Sequence, residues 1–287
     1  MRPPTLKTRI FLDSGDPTET KQILSLLGFL DGQTTNPTLV SKNPEAQKRL
    51  QEGKKFTAQE IYGFYKTVVT QLSQMLPNGS ISIEVYADAT TTPEAMFTQG
   101  KEMYTWIPNA HMKYPTTSAG LQSAENSVAA GMRVNMTLCF TEDQAAAIYT
   151  ATKGAKKGQV FVSPFIGRLD DLGENGMDLI KNIIDLYKTG DGHVELLTAS
   201  VRTMEHFMCA LHLGSDIITA PFKVLKEWGE KGMPLPDADF TYKHPELKPI
   251  AKKNLDLNGP WKNYNIQHDL TAKGIEKFSQ DWNSLIA

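Results

Sequence analysis

The sequence predicts an α/β fold: a single closed (β/α)8 barrel, the TIM-barrel architecture, with an extra C-terminal helical extension. Three observations lead there. Short apolar runs alternate with longer stretches of helical periodicity, and eight such runs can be found, the pattern of a parallel sheet covered by helices. No Gly-x-Gly-x-x-Gly turn follows any run, which disfavours an open dinucleotide-binding sheet. The length of 287 residues suits one barrel of roughly 250 residues plus an addition. We therefore expect one domain over 1–287, with the barrel core at 8–232. The extension, 233–287, should dock on the barrel or on a neighbouring subunit.

The strand candidates are 9–13 (RIFLD), 32–36 (GQTTN), 81–85 (ISIEV), 110–113 (AHMK), 133–138 (RVNMTL), 159–164 (QVFVSP), 195–200 (ELLTAS) and 216–219 (DIIT). The second is more polar than a barrel strand should be. Helical patterns cover 17–27, 57–75, 120–130, 141–152, 176–188, 203–213 and 222–231. Their starts carry capping signals. Asp16 precedes Pro17, with Glu19 in the first turn, and Thr141 precedes Glu142 and Asp143; a short polar cap followed by negative charge satisfies and complements a helix N-terminus. Residues 41–78 form a long helical connection. After Trp228 the chain turns Pro- and charge-rich, then ends in a helix near 271–285 whose apolar residues Ile275, Phe278, Trp282 and Ile286 recur at helical spacing.

Composition excludes several classes. The net charge of −2 gives no footprint for nucleic acid or an acidic membrane. No run reaches the roughly 18 apolar residues of a membrane span, and the start lacks a signal-peptide core, so a cytoplasmic protein is expected. Cys139 and Cys209 have no metal-ligand spacing. They read as reduced core thiols, with a single buried disulfide as the alternative.

Strand residues point alternately into and out of a barrel. Applied to each run, that period puts Phe11 and Asp13 inside, then Thr34 and Asn36, Ser82 and Glu84, His111 and Lys113, Asn135 and Thr137, Phe161 and Ser163, Thr198 and Ser200, and Ile217 and Thr219. Polar groups thus gather at the C-terminal strand ends, where barrel enzymes keep their active sites. Lys113 is the sharpest of them. Most lysines merely solvate a surface, but this one closes an inner strand, where burial disfavours the ammonium and frees a nucleophilic amine for attack on a carbonyl. Asp13 and Glu84 are candidate proton carriers, the latter through a water held by Thr137. The structural alternatives are that Asp13 caps the following helix and that Glu84 simply pairs with Lys113. Arg168 and Arg202 follow strands six and seven, where their forked donors suit a phosphate and Ser200 can add a hydroxyl. The alternative for both is pairing with Asp170, Asp171 or Glu205. His111 should lie beneath Lys113 and fill the barrel; His206 and His212 read as structural.

These blocks resemble the transaldolases, including the related fructose-6-phosphate aldolases. The similarity is carried by Phe11-Leu12-Asp13, Thr34-Thr35-Asn36-Pro37-Thr38-Leu39, Lys113-x-Pro115-x-Thr117-x-x-Gly120, Asn135-x-Thr137-Leu138, Ser163-Pro164-Phe165-Ile166-Gly167-Arg168 and Ala199-Ser200-Val201-Arg202. The resemblance implies Lys113 as Schiff-base lysine, Asp13 as proton carrier at the C4 hydroxyl of the donor, and Glu84 with Thr137 on a catalytic water. It implies Asn36 and Asn135 on the hydroxyls of a dihydroxyacetone unit, with Thr34 and Ser163 nearby, and Arg168, Ser200 and Arg202 on phosphate. No metal or organic cofactor is implied. The aldolases have Gln and Tyr where this chain has Glu84 and Phe165, so the resemblance favours transfer of the unit between sugar phosphates in the pentose phosphate pathway. Fructose-6-phosphate or dihydroxyacetone aldolase activity, or a non-catalytic sugar-phosphate-binding barrel, are the alternatives. Gln33, His111 and Tyr114 depart from the family's usual aliphatic neighbours. A homo-oligomer is expected, a dimer first among the options.

Overall fold

A computed structural model of the chain describes residues 2–287. Its strands are β1 (Arg9–Asp13), β2 (Gly32–Thr34), β3 (Ser80–Glu84), β4 (Ala110–Pro115), β5 (Val134–Cys139), β6 (Val160–Pro164), β7 (Val194–Thr198) and β8 (Ile217–Ala220). All pairs are parallel and β8 returns to β1, closing the barrel in sequence order. The helices are α1 (Pro17–Leu27), α2 (Pro37–Ser41), α3 (Pro44–Gln51), α4 (Ala58–Met75), α5 (Pro93–Tyr104), α6 (Ser118–Ala129), α7 (Glu142–Ala151), α8 (Ile166–Asp170), α9 (Gly176–Tyr187), α10 (Met204–Leu213), α11 (Phe222–Glu230) and α12 (Asp269–Ser284). The long helical connection resolves into α2, α3 and α4, the last opened by a reciprocal Thr57–Glu60 capping box.

The barrel interior is layered. At its floor Arg9 pairs with Glu195 at 2.9 Å. Above them, Phe161 stacks against His111 with ring centroids 4.1 Å apart and meets Phe11 edge-on at 6.1 Å. Gly32 makes room for this layer, since a Cβ there would fall 2.6 Å from the Phe11 ring and 2.4 Å from the Ser80 carbonyl. His111 fills the barrel as expected: its two ring nitrogens meet Ser80 Oγ at 2.7 Å and the Gly158 carbonyl at 3.0 Å. Burial lowers its pKa to about 3, so the ring is neutral at physiological pH.

Three expectations about the strands are corrected. The second strand stops at Thr34, because Asn36 leaves it to cap α2, accepting from the Leu39 N–H at 2.9 Å. The phase of the seventh is inverted. Leu197 sits in register with Ile217, and Glu195 with Phe161, so these two face inward. Thr198 turns outward and bonds to Ser215 Oγ at 2.7 Å. Ser200 lies beyond β7 with φ 58°, a left-handed backbone that ends the two-residue alternation. Finally, β5 carries one extra residue, since Asn135 pairs with Phe161 but Cys139 with Pro164. Leu138, at φ 59°, lies between them; such a bulge bends a strand and re-aims its neighbours.

The segment after α11 runs along the outside of its own barrel. The Lys248 N–H donates to the Gly173 carbonyl at 2.7 Å, and the Ile250 N–H to Asp178 at 3.1 Å. Then α12 crosses the C-terminal mouth. Thr271 Oγ1 donates to the Leu138 carbonyl at the bulge (3.0 Å), Thr38 of α2 bonds to Asp281, and the Phe56 N–H donates to the Leu285 carbonyl at 2.8 Å. Both cysteines are free and buried, and burial pushes each thiol up to about 12. Among the described residues no helix is long and apolar enough to cross a membrane, and no cluster of His, Cys, Asp or Glu is placed to hold a metal ion.

Candidate active site

Parallel register sets Glu84, Lys113 and Asn135 side by side on β3, β4 and β5. The Lys113 side chain is only 3 % exposed, and its Nζ lies 3.0 Å from Glu84 Oε2. The amine donates to the Thr35 carbonyl at 3.3 Å. Behind it the Tyr65 phenol, reaching in from α4, accepts from the Glu84 N–H at 3.0 Å and bonds to Thr35 Oγ1 at 2.5 Å. Tyr65 therefore clips the ends of β2 and β3 together. An amphipathic pattern in α4 marks it as core only, so sequence reasoning had no signal for this role.

Two hydrogen-bonded chains flank the lysine. On one side Thr34 Oγ1 donates to Asp13 Oδ1 at 2.6 Å. Its single proton is then spent, so Thr219 must donate to Thr34 across their 2.6 Å contact. On the other side Ser163 Oγ donates to Asn135 Oδ1 at 2.7 Å, and Asn135 Nδ2 donates to Ser82 Oγ at 3.0 Å. Thr34 with Thr219, and Ser82 with Asn135 and Ser163, thus form two separate hydrogen-bonded chains. Thr137 Oγ1 and Glu84 Oε2 are the exceptions: both are buried, and neither makes an aligned hydrogen bond among the described residues.

Two carboxyls here are shifted in the same direction. Burial pushes Glu84 above the usual carboxylate range, with the nearby Lys113 charge pulling against it and Asp13 adding repulsion. Burial likewise raises Asp13, opposed by Lys113, the Thr34 hydrogen bond and Lys42. Glu84 is paired with Lys113, as the structural alternative allowed. The cap of α1, however, is Asp16 rather than Asp13.

The arginines stand at the rim. The Arg168 guanidinium is held between the Phe165 ring at 5.2 Å and the Phe278 ring of α12 at 5.4 Å. No carboxylate pairs with it among the described residues. Gly274 lets it pass beneath α12, because a Cβ there would fall 2.7 Å from Arg168 Nη1. Arg202 instead forms a two-pronged ion pair with Asp171, at 2.5 and 2.6 Å, which is the rival pairing considered for it. The Ser200 carbonyl accepts from the Gly167 N–H at 3.2 Å, tying α8 to the loop that carries Arg202. Phe278 and Gly274 were not singled out for the site; they belong to α12, whose position over the mouth no local pattern encodes. A cavity of ≈ 590 Å³ flanks α12 beside Asp88 and Thr116. A smaller one of ≈ 10 Å³ reaches Glu84 beneath Ile275 and Phe278.

The motif glycines also have causes. In the Lys113–Gly120 block, Thr117 caps α6 by accepting from the Gly120 N–H at 3.1 Å, and a Cβ on Gly120 would sit 1.8 Å from the Pro115 carbonyl.

The chain is similar to known proteins over nearly its whole length. A probable transaldolase from Dehalococcoides mccartyi is 35 % identical over 277 residues, covering 96 % of this chain and 99 % of that protein. Another from Caulobacter sp. strain K31 is 34 % identical over 276 residues, covering 96 % of each chain. A third, from Alkaliphilus metalliredigens, is 30 % identical over 278 residues, 97 % of this chain and 99 % of its own. The profile described as Transaldolase/Fructose-6-phosphate aldolase matches residues 10–287, and the chain belongs to that family.

Proposed function

We propose that the protein moves a dihydroxyacetone unit from a ketose phosphate to an aldose phosphate through a Schiff base on Lys113. The carrying observation is the buried Lys113 amine, 3.0 Å from Glu84, flanked by hydroxyls and an amide. Glu84, whose acidity burial has weakened, takes the ammonium proton, and the free amine attacks the C2 ketone of the donor. Proton return from Glu84, through a water held with Thr137, expels the carbinolamine hydroxyl as water. The buried Thr137 Oγ1, which has no hydrogen-bond partner among the described residues, supports that role. The iminium then draws in the electrons of the C3–C4 bond while Asp13 removes the C4 hydroxyl proton. The aldose phosphate departs, and the enamine left on Lys113 attacks the next aldehyde.

In this reading Asn36, Asn135 and Ser163 hold the three-carbon unit, with Thr34 orienting Asp13. Arg168, with Ser200 and Arg202, holds the phosphate, and Phe165 walls the site. Glu84 and Phe165 support transfer over aldol release, and with it we infer a role in the non-oxidative pentose phosphate pathway of the cytoplasm. The reaction interconverts sedoheptulose 7-phosphate plus glyceraldehyde 3-phosphate with fructose 6-phosphate plus erythrose 4-phosphate.

Fructose 6-phosphate with borohydride, followed by peptide mass mapping, tests the proposal. An adduct at Lys113, with glyceraldehyde 3-phosphate accumulating catalytically only when erythrose 4-phosphate is present, is the expected result. Free dihydroxyacetone released without acceptor would indicate the aldolase, and no adduct would exclude both.

A further inference from the structure

We propose that Asp171 is a built-in competitor for the substrate phosphate, a carboxylate that holds the fork of Arg202 and must be displaced before phosphate can use it. The inference rests on the reading of Arg168 and Arg202 as the phosphate-holding pair.

The two arginines share one rim but differ in their surroundings. Arg168 lies between two aromatic rings and, among the described residues, pairs with no carboxylate. Arg202 has both terminal nitrogens occupied by the two oxygens of Asp171. A phosphate seeking two parallel hydrogen bonds from Arg202 needs those same nitrogens.

Asp171 is not what positions Arg202. The arginine stem packs on the Gly167 backbone so closely that a Cβ there would fall 2.5 Å from its Nε and 2.8 Å from its Cδ. The neighbouring aspartate, Asp170, does the anchoring. It accepts from the Gly176 N–H at 3.0 Å and meets His206 Nε2 at 2.7 Å. His206 in turn accepts from the Arg202 N–H through Nδ1 at 3.4 Å. Backbone and stem are therefore held without Asp171, which touches only the charged head. The pair is open to solvent, with side chains 43 % and 56 % exposed, so a ligand can reach and exchange it.

The consequence is selectivity by charge. A monoanionic carboxylate offers Arg202 no more charge than Asp171 already does. A phosphate monoester, at about −1.5 to −2 near pH 7, offers more and also engages the free Arg168. Asp171 thus screens the rim against singly charged anions and recaptures Arg202 when the sugar phosphate leaves.

Inorganic phosphate and acetate titrations test this, with fructose 6-phosphate kinetics alongside, on the full chain and on Asp171→Asn, Asp171→Glu and Arg202→Met. Asp171→Asn should bind phosphate about two- to five-fold tighter, the worth of a well-aligned exposed ion pair. KM for fructose 6-phosphate should fall by a similar factor with no rise in kcat, and acetate should become a measurable competitor. Asp171→Glu should restore the parent values, whereas Arg202→Met should weaken phosphate binding. Unchanged or weaker phosphate binding in Asp171→Asn, with Arg202→Met impaired, overturns the competitor role. If neither Arg202→Met nor Asp171→Asn alters phosphate binding, the phosphate reading of the rim fails and the proposal falls with it.

Discussion

Replacing Lys113 by Met removes the nucleophile and also leaves Glu84 alone in a sealed position. The two side chains are only 3 % and 4 % exposed, and removing one partner from such a buried pair costs about 3–5 kcal/mol. The cost should depend on pH. Burial already pushes Glu84 upward and the Lys113 charge is the main force opposing it, so the variant's carboxyl must rise further and hold its proton. Between the unfolded value of about 4.3 and the raised folded value, the native state keeps a proton that the unfolded chain releases. Stability therefore falls as pH rises through that window and levels off above it. Holding the proton at pH 8 costs up to about 5 kcal/mol, at 1.36 kcal/mol per pH unit; near pH 5 the same reckoning leaves about 1 kcal/mol. Urea unfolding of parent and variant at both pH values measures the difference. The deficit should be several-fold larger at pH 8, and adding Glu84→Gln should recover most of it. An equal deficit at both pH values, or none at pH 8, would refute the reasoning.

Three further outcomes are expected. Gly274→Ala places a methyl 2.6 Å from Leu138 Cδ2 and 2.7 Å from Arg168 Nη1, so α12 must lift; overpacking of this kind costs about 1–3 kcal/mol, and the KM for a sugar phosphate should rise while thermal unfolding shows a modest loss. His111 is held neutral with its pKa lowered to about 3, so its contribution is lost as pH falls from about 6.5, where the unfolded imidazole takes up a proton. His111→Gln should flatten the decline in urea midpoint between pH 7 and pH 4, a contribution of about 3 kcal/mol by the linkage relation. Gly120→Ala drives a methyl against the Pro115 carbonyl at 1.8 Å, and a loss of about 3 kcal/mol or more should lower Tm by roughly 6–12 °C.

The barrel was legible because its strands are buried apolar runs and its helices open on side-chain caps, both of which are local properties. Asp13, Glu84, Lys113, Asn135 and Ser163 were legible for the same reason, since period-two alternation holds to the C-terminal end in β1, β3, β4 and β6 and as far as Met136 in β5. It failed where the backbone leaves the extended region. Ser200 is left-handed and Leu138 is a bulge, and neither departure has a residue type that announces it. Placing Thr198 and Ser200 inside inverts the seventh strand's phase and hides that Glu195 faces inward to Arg9. The Asn36-Pro37 pair did carry a readable helix-start signal, a polar cap before a proline, but the strand pattern was extended over it. The Arg168 cage depends on Phe278, over a hundred residues away in the chain. Contacts at that range follow from the closed fold, not from any window of sequence.

The helix cap on Asn36 ties local order to the side chain proposed to hold the three-carbon unit. Its Oδ1 holds the start of α2, and two residues later Thr38 of the same short helix bonds to Asp281 of α12. A five-residue helix has too little internal bonding to persist alone, so it borrows its stability from both ends. Melting α2 would release the Asn36 amide from its fixed orientation and free the strap across the mouth in the same event. Conversely, any ligand that fixes Asn36 stiffens the strap by an equal free energy, because linkage between two such sites is reciprocal.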